Sequence, residues 1–394
     1  MDLSLAKEDR QATGACGGCH ARFELRTFAD LGELERLWLD LEQRTSAPLF
    51  LSWDWIGCWI REALLQPVVV IGRAEGAVVL LGIVTSSARR GWLPVTMRGL
   101  HLHMTGDTRQ DVITIEYNGF LVAEDQVGKL EADAIAFLLS GLVVDGHRCE
   151  ELHLKNVPAV LEQSVRASGF HFREIQRKPS WRIDLAAIRA VGRPYLDCLS
   201  ANTRQQIRRS MRRYETRGRL EIVRARDVAE ALNFLDGLKE LHQRYWTGRG
   251  EPGAFAFPFF VGFQSRLIQT CIDHGTVELL RVSAGADVIG YLYNLVYRGH
   301  VYQYQSGFQY EADPRLKPGL VSHCLCIDRH LREGSRVYDF MAGDARYKSN
   351  LGKPGPDMIY LLARRPTWPL ELESMLRDVK RSLGGLSQRL RVAS

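Results

Sequence analysis

Apolar positions along the chain change their period several times, and each change predicts an element. In "LGELERLWLDLEQR", apolar residues at 31, 34, 37, 38 and 41 have the spacing of one helix face. "PVVVIGRAEGAVVLLGIVTSS" predicts two strands around a polar turn, a hairpin. "QVGKLEADAIAFLLSGLVVDG" predicts a helix closing on Gly146, and "CEELHLKNV" and "SWRIDLA" predict strands. A second unit starts near 191 with an Arg-rich helix. Helices near 227–247 and 258–274 and strands at 276–283, 287–297 and 300–306 follow. A helix at 319–333 and strands at 336–342 and 358–364 complete it.

The expected organisation is a disordered tail at 1–21, units at 22–190 and 191–366, and an amphipathic helix and tail at 367–394. No internal repeat is obvious, although both halves mix strands and helices in a similar way. A chain of 394 residues is comfortable for two domains. Its apolar stretches, such as "AIAFLLSGLVV", fall short of the ~18 residues of a spanning helix. The first residues lack an apolar signal-peptide core, and the eight cysteines are scattered, so a reducing, cytoplasmic setting is expected. "CGGCH" at 16–20 has the spacing of c-type haem attachment, and Cys16, Cys19 and His20 resemble half a zinc site. With no export signal and no second ligand pair, it is read as a chance match, and no metal is expected.

Charge singles out one segment. Residues 200–219 hold seven arginines against one glutamate, equal to the whole chain's net charge of +6. Helical spacing puts Ile207, Met211 and Tyr214 on a docking stripe and leaves a wide outward face that includes Arg204 and Arg208. Asn202 with Gln205 makes an approximate capping box. A solvated face is the plain reading. Mutual repulsion of the arginines favours an anionic partner at 203–219, phosphate first, because a guanidinium forks onto it.

The block from 300 to 342 predicts strand, turn, helix and strand, hence a βαβ unit with parallel or splayed strands. "PRLKPG" opens its helix, and Leu320, Cys324, Ile327 and Leu331 form the buried stripe. A helix start beyond the first strand offers free N–H groups, and Arg315 and Lys317 add charge there. The arrangement suits a phosphate-bearing ligand, with an ordinary solvated turn as the alternative. Directly after the last strand, "YDFMAGDARYKSNLG" groups Asp344, Tyr347 and Lys348.

The order "YQYQSGFQYEADPRLKPG", apolar helix, "YDFMAGDARYK" resembles the catalytic half of GNAT-superfamily acyltransferases. It is most similar to the CelD/BcsL-like branch, which is related to Fem-type aminoacyltransferases. "LFLSWDWIGCW", "ANTRQQIRRSMRRYE" and "LHQRYW" resemble further motifs of that branch, so the likeness spans about residues 22–365. It implies an α/β fold of two tandem GNAT-like units, the first degenerate and the second carrying the acyl-donor site. It implies acyl-CoA as donor, held by Arg315, Lys317, Gly319 and Leu320, and a small-molecule or glycan acceptor such as an envelope or polysaccharide precursor. Tyr347 stands where such enzymes present a tyrosine to the leaving sulfur, or packs at a helix start. Asp344 accepts a proton or caps the helix. Lys348 binds the acceptor or pairs with a buried acid such as Asp339. His242 is the candidate base or a half-buried histidine. Tyr304 and Trp246 line the acceptor pocket or fill core, and Arg204 and Arg208 meet the anionic substrate or partner. The rival readings are a Fem-like aminoacyl-tRNA-dependent transferase and a non-catalytic nucleic-acid-binding or scaffold protein.

Overall fold

The computed structural model describes residues 3–5, 21–90, 96–124, 128–144 and 147–365. Two large mixed sheets and their helices make an α/β fold of two similar units. The first sheet runs His171–Lys178, Met358–Arg364, Glu151–Pro158, Thr96–Leu102, Ala77–Arg90, Val68–Ala74, Arg22–Thr27, with Leu121–Val122 beside Ala77–Arg90. The second runs Leu220–Arg224, Val277–Ala284, Asp287–Tyr297, His300–Phe308, Val337–Ala342, Ser180–Asp184, Lys353–Pro354. Each holds one parallel pair among antiparallel ones, Thr96–Leu102 with Glu151–Pro158 and His300–Phe308 with Val337–Ala342.

The two units exchange strands. Ser180–Asp184 follows the first unit in sequence but pairs with Val337–Ala342 of the second sheet. Met358–Arg364 follows the second unit but lies between two strands of the first. The sequence order had put each with the wrong sheet, because an alternating pattern marks a strand without naming its neighbour. The two crossings touch: Ser180 Oγ donates to the Pro356 carbonyl at 2.6 Å, and the Gly355 N–H donates to the Ser180 carbonyl.

Helix starts follow local chemistry. Asp30 caps Leu31–Glu42, Ser52 caps Trp53–Glu62, and Asp227 caps Val228–Thr247, each accepting a backbone N–H of the first turn. The Arg-rich helix spans Ala201–Glu215 and is capped by Ser200, not by Asn202 as expected. Its predicted stripe holds, with Ile207 and Tyr214 fully buried. The helix Lys129–Gly141 ends earlier than expected, and Leu142–Val144 leaves it as a strand paired with Leu3–Leu5. Those three residues thus form a short strand within the segment expected as a tail. The "CGGCH" motif and the segment 367–394 lie outside the described residues.

One face of the second sheet packs on the helices Ala201–Glu215 and Pro318–Arg332. The other packs on Val228–Thr247, Pro258–Cys271 and the first unit, in a core continuous across both units. Phe50 and Trp55 of the first unit meet Tyr302 and Tyr304 edge-on, with centroids 5.4 and 5.7 Å apart. Polar ties cross the same boundary. Tyr297 donates to Glu42 Oε1 at 2.6 Å, Thr276 to Asp54 at 2.8 Å, and Arg266 to Glu62 at 2.9 Å. Packing and polar ties thus join the two units along this boundary.

Candidate active site at the junction of the units

The two strands of the second parallel pair stay together only from His300↔Val337 to Tyr302↔Asp339. Beyond that they splay, and a cavity of about 770 Å³ opens along them. Its walls come from both strands, from the starts of the helices Pro318–Arg332 and Arg346–Leu351, from the end of Val228–Thr247, and from Val112–Glu116 of the first unit. Gly307 permits this geometry: a Cβ there would lie 2.4 Å from the Leu238 carbonyl, so only glycine lets the helix Val228–Thr247 press onto the strand.

At one end Lys317, Gly319 and Leu320 form the wall. Pro318 stands in the first turn, leaving the N–H groups of Gly319 and Leu320 without helical partners. Lys317 is itself positioned by its backbone, whose N–H donates to Ser210 Oγ at 2.9 Å. Arg315 does not join them. Its guanidinium chelates Asp313 at 2.9 and 3.2 Å, so a neighbour two residues away claims the charge expected for the ligand.

Tyr347 and Lys348 both reach the wall, but differently. Tyr347 stacks on His323 with centroids 5.2 Å apart, and its hydroxyl donates to Gln303 Oε1 at 3.2 Å across the splay. Burial pushes its pKa well up, which keeps the hydroxyl protonated. Lys348 is a half-buried cation whose Nζ donates to the Phe340 and Ala342 carbonyls, both at 2.7 Å. It closes the end of a strand rather than reaching toward an acceptor. Burial lowers its pKa, while Glu116 and Asp339 oppose the shift. Gly343 makes room for it, at φ 137° with Lys348 Nζ 3.2 Å from where a Cβ would stand.

Asp344 sits exposed at the rim and caps nothing, because the short helix starts from Ala345 without a side-chain cap. His242 is buried against the cavity, with Nδ1 3.1 Å from Gln243 Oε1 and its pKa lowered by burial. Trp246 is half-exposed at the mouth. Tyr304 is wall rather than reactant: its hydroxyl accepts from Gln264 and donates to the Ile113 carbonyl at 2.6 Å. Arg204 and Arg208 lie off the cavity, both beside Asp197, at 3.6 and 3.1 Å. The arginine face and the cavity are thus separate features.

Sequence reasoning missed Glu116, Tyr117, Gln303 and His323. Glu116 is buried on the wall, and its Oε2 has no hydrogen-bond partner. Burial, with Asp339 adding and Lys348 offsetting, pushes its carboxyl up to about 7. Asp339 is raised to about 6, mainly by burial, while Tyr117 and the Met341 N–H hold it down. His323 falls to about 3 through burial and the nearby Lys348. The available signal for Glu116 was its isolation, as the single acid in the run Val112–Val122.

The first unit's own splay is filled. Its last parallel pair, His101↔His153, carries stacked imidazoles 4.4 Å apart. Just beyond, Asn118 Nδ2 bridges the diverging strands by donating to the Leu102 and Lys155 carbonyls at 2.9 and 3.2 Å.

Splayed parallel strands, a helix start at their open end and a tyrosine on the opposing wall lie in the second unit, where residues 201–349 match the family model of the acetyltransferase (GNAT) domain. Among solved structures the fold is similar to FemX, at 11% identity and TM-score 0.54 over 85% of this chain and 96% of that one. L-PGS from Bacillus licheniformis is similar at 12% identity and TM-score 0.51, over 90% and 98% of the two chains. A C-terminal DUF2156 domain from Agrobacterium fabrum gives 12% identity and TM-score 0.51, over 89% and 96%. No curated protein matches the chain in sequence. The GNAT and Fem-like resemblance therefore holds, and these likenesses are likenesses of fold.

Proposed function

We propose that the protein is an acyl-CoA-dependent acyltransferase. It moves an acyl group to an amine or hydroxyl of a polysaccharide or envelope precursor or of a small metabolite. The observation that carries this reading is the splay beyond Tyr302 and Asp339, which opens between the free helix N–H groups of Gly319 and Leu320 and the hydroxyl of Tyr347. The helix start and Lys317 hold the donor's phosphates, where the partial positive charge of the helix and a side-chain cation add. Tyr347, protonated and movable off Gln303, supplies a proton to the departing thiolate. The remaining cavity, walled by His242 and Trp246, takes the acceptor.

The test is calorimetry with acetyl-CoA and longer acyl-CoAs, followed by thiol release with pooled amine and hydroxyl acceptors. Acyl-CoA binding in the micromolar range with acceptor-dependent thiol release is expected. No binding of any acyl-CoA overturns the reading, and consumption of charged tRNA in its place assigns the donor to the Fem-like alternative.

A further inference from the structure

We propose that Glu278, Cys326 and His330 form a binding site for a zinc-class divalent cation inside the second unit, away from the cavity. The proposal is independent of the acyl-transfer reading above.

The three residues come from two elements that the fold brings face to face. Cys326 and His330 are four apart on the helix Pro318–Arg332, so they share a face, and Glu278 stands on the strand Val277–Ala284 opposite them. All three are buried, and their ligand atoms lie within 4.8 Å of one another. Thiolate, imidazole and carboxylate are the ligand types zinc takes, at about 2.0–2.3 Å, so small side-chain shifts bring all three onto one ion. None of them lines the cavity. The sequence expectation of no metal rested on spacing along the chain, and Glu278 belongs to a different element from the other two.

Neighbouring groups orient the ligands, as a metal site requires. Asn294, paired with Glu278 across the sheet, donates through Nδ2 to Glu278 Oε2 at 2.9 Å and to Cys326 Sγ at 3.2 Å. Arg224 Nε donates to Glu278 Oε1 at 2.7 Å, which leaves Oε2 as the inward atom. His330 Nδ1 lies 3.1 Å from Ser335 Oγ. When Nδ1 carries the proton, Nε2 turns a lone pair toward Glu278 Oε2, 2.8 Å away, and a second proton or a cation must stand between them. An ion-pair network of Glu278 with His330 and Arg224 is the plainer reading. It gives no part to the Cys326 thiol and leaves Asn294 Oδ1 buried without a partner. Turned end for end, that amide offers Oδ1 as a fourth ligand in place of Nδ2.

The charges close. The cation replaces the His330 Nε2 proton and the Cys326 thiol proton, both released to solvent. Its two positive charges meet one carboxylate and one thiolate, while Arg224 stays paired with Glu333 at 2.8 Å. His330 lies in the last turn of its helix, so fraying of that end gives a route in. The cation would fix to the sheet the same helix whose first turns wall the cavity, a structural part rather than a catalytic one.

The test uses the full chain, stripped of metal by a chelator, with zinc and cobalt(II) as probes. Cys16, Cys19 and His20 also carry zinc-type ligands, so the Cys16→Ser, Cys19→Ser double variant is measured in parallel. In that background one zinc per chain, a thiolate-to-cobalt charge-transfer band and a higher melting temperature with zinc are expected. Cys326→Ser, which keeps the side chain's shape, should abolish the band and the zinc-dependent rise. Asn294→Ala should weaken zinc binding about 10–100-fold. X-ray absorption of the zinc-loaded double variant needs no core substitution and should show one sulfur ligand among nitrogen and oxygen neighbours. Failure of the double variant to retain zinc, two or more sulfur ligands on the ion, or unchanged binding in Cys326→Ser overturns the proposal and leaves an ion-pair network only.

Discussion

Tyr117 of the first unit donates its phenol to Asp339 Oδ2 of the second at 2.7 Å, at the point where the parallel strands part. The bond joins residues 222 positions apart and fixes the cavity's inner end. Tyr117→Phe would leave a buried carboxylate oxygen short of a donor. The expected loss is about 1–3 kcal/mol of stability, read by urea denaturation. Asp339, relieved of the phenol, should titrate higher than in the wild type. An unchanged midpoint would mean the tie is incidental.

Tyr347→Phe removes only a hydroxyl. If that hydroxyl protonates the leaving thiolate, kcat should fall by about 10²–10⁴-fold with acyl-CoA affinity retained. The ring keeps its stacking on His323, so the melting temperature should barely move. Wild-type turnover would reduce Tyr347 to a packing residue.

Lys317 and Arg315 make a matched pair for locating the donor. Lys317 lines the cavity, whereas Arg315 is chelated by Asp313 outside it. Lys317→Glu should weaken acyl-CoA binding at least tenfold and more strongly at low salt. Arg315→Ala should leave affinity within about twofold. The reverse order would move the phosphate site to the turn.

The pH dependence of stability offers a check on Glu116 that needs no substrate. Its folded-state carboxyl titrates near 7, above the ordinary value of 4.5. Between those values the folded protein binds the extra proton, so this group's contribution to stability falls as pH rises. The buried histidines His101, His103 and His323, lowered to about 3, 4 and 3, act with the opposite sign. The informative quantity is therefore a difference. Relative to wild type, Glu116→Gln should gain stability as pH goes from 5 to 8, measured by thermal melts. A difference that stays flat would place Glu116 at an ordinary pKa.

The elements and part of the cavity wall were legible in the sequence for local reasons. Helical spacing marked Leu31–Glu42, and the Pro-Gly start marked Pro318–Arg332. Tyr347 and Lys348 were found because they follow a strand directly. What was hidden depends on distant partners. Nothing near Met358 announces that its strand joins the first sheet, and nothing near Glu116 announces a cavity built by residues 200 positions later. Lys348, expected at the acceptor or at a buried acid such as Asp339, donates to two carbonyls, and Arg315, expected at the donor, is chelated by Asp313. A cation's role is set by whichever acceptor is nearest, a carbonyl for one and Asp313 for the other.

The reciprocal strand exchange governs the order in which this chain can fold. The first sheet has a gap between Glu151–Pro158 and His171–Lys178 that only Met358–Arg364 fills. During synthesis the amino-terminal half therefore waits, with two strand edges open, until residue 364 has been made. Pairing at such separation makes folding slow and late. A truncation before Met358 should leave even the first unit incomplete and prone to aggregate, although every other strand of that sheet would be present.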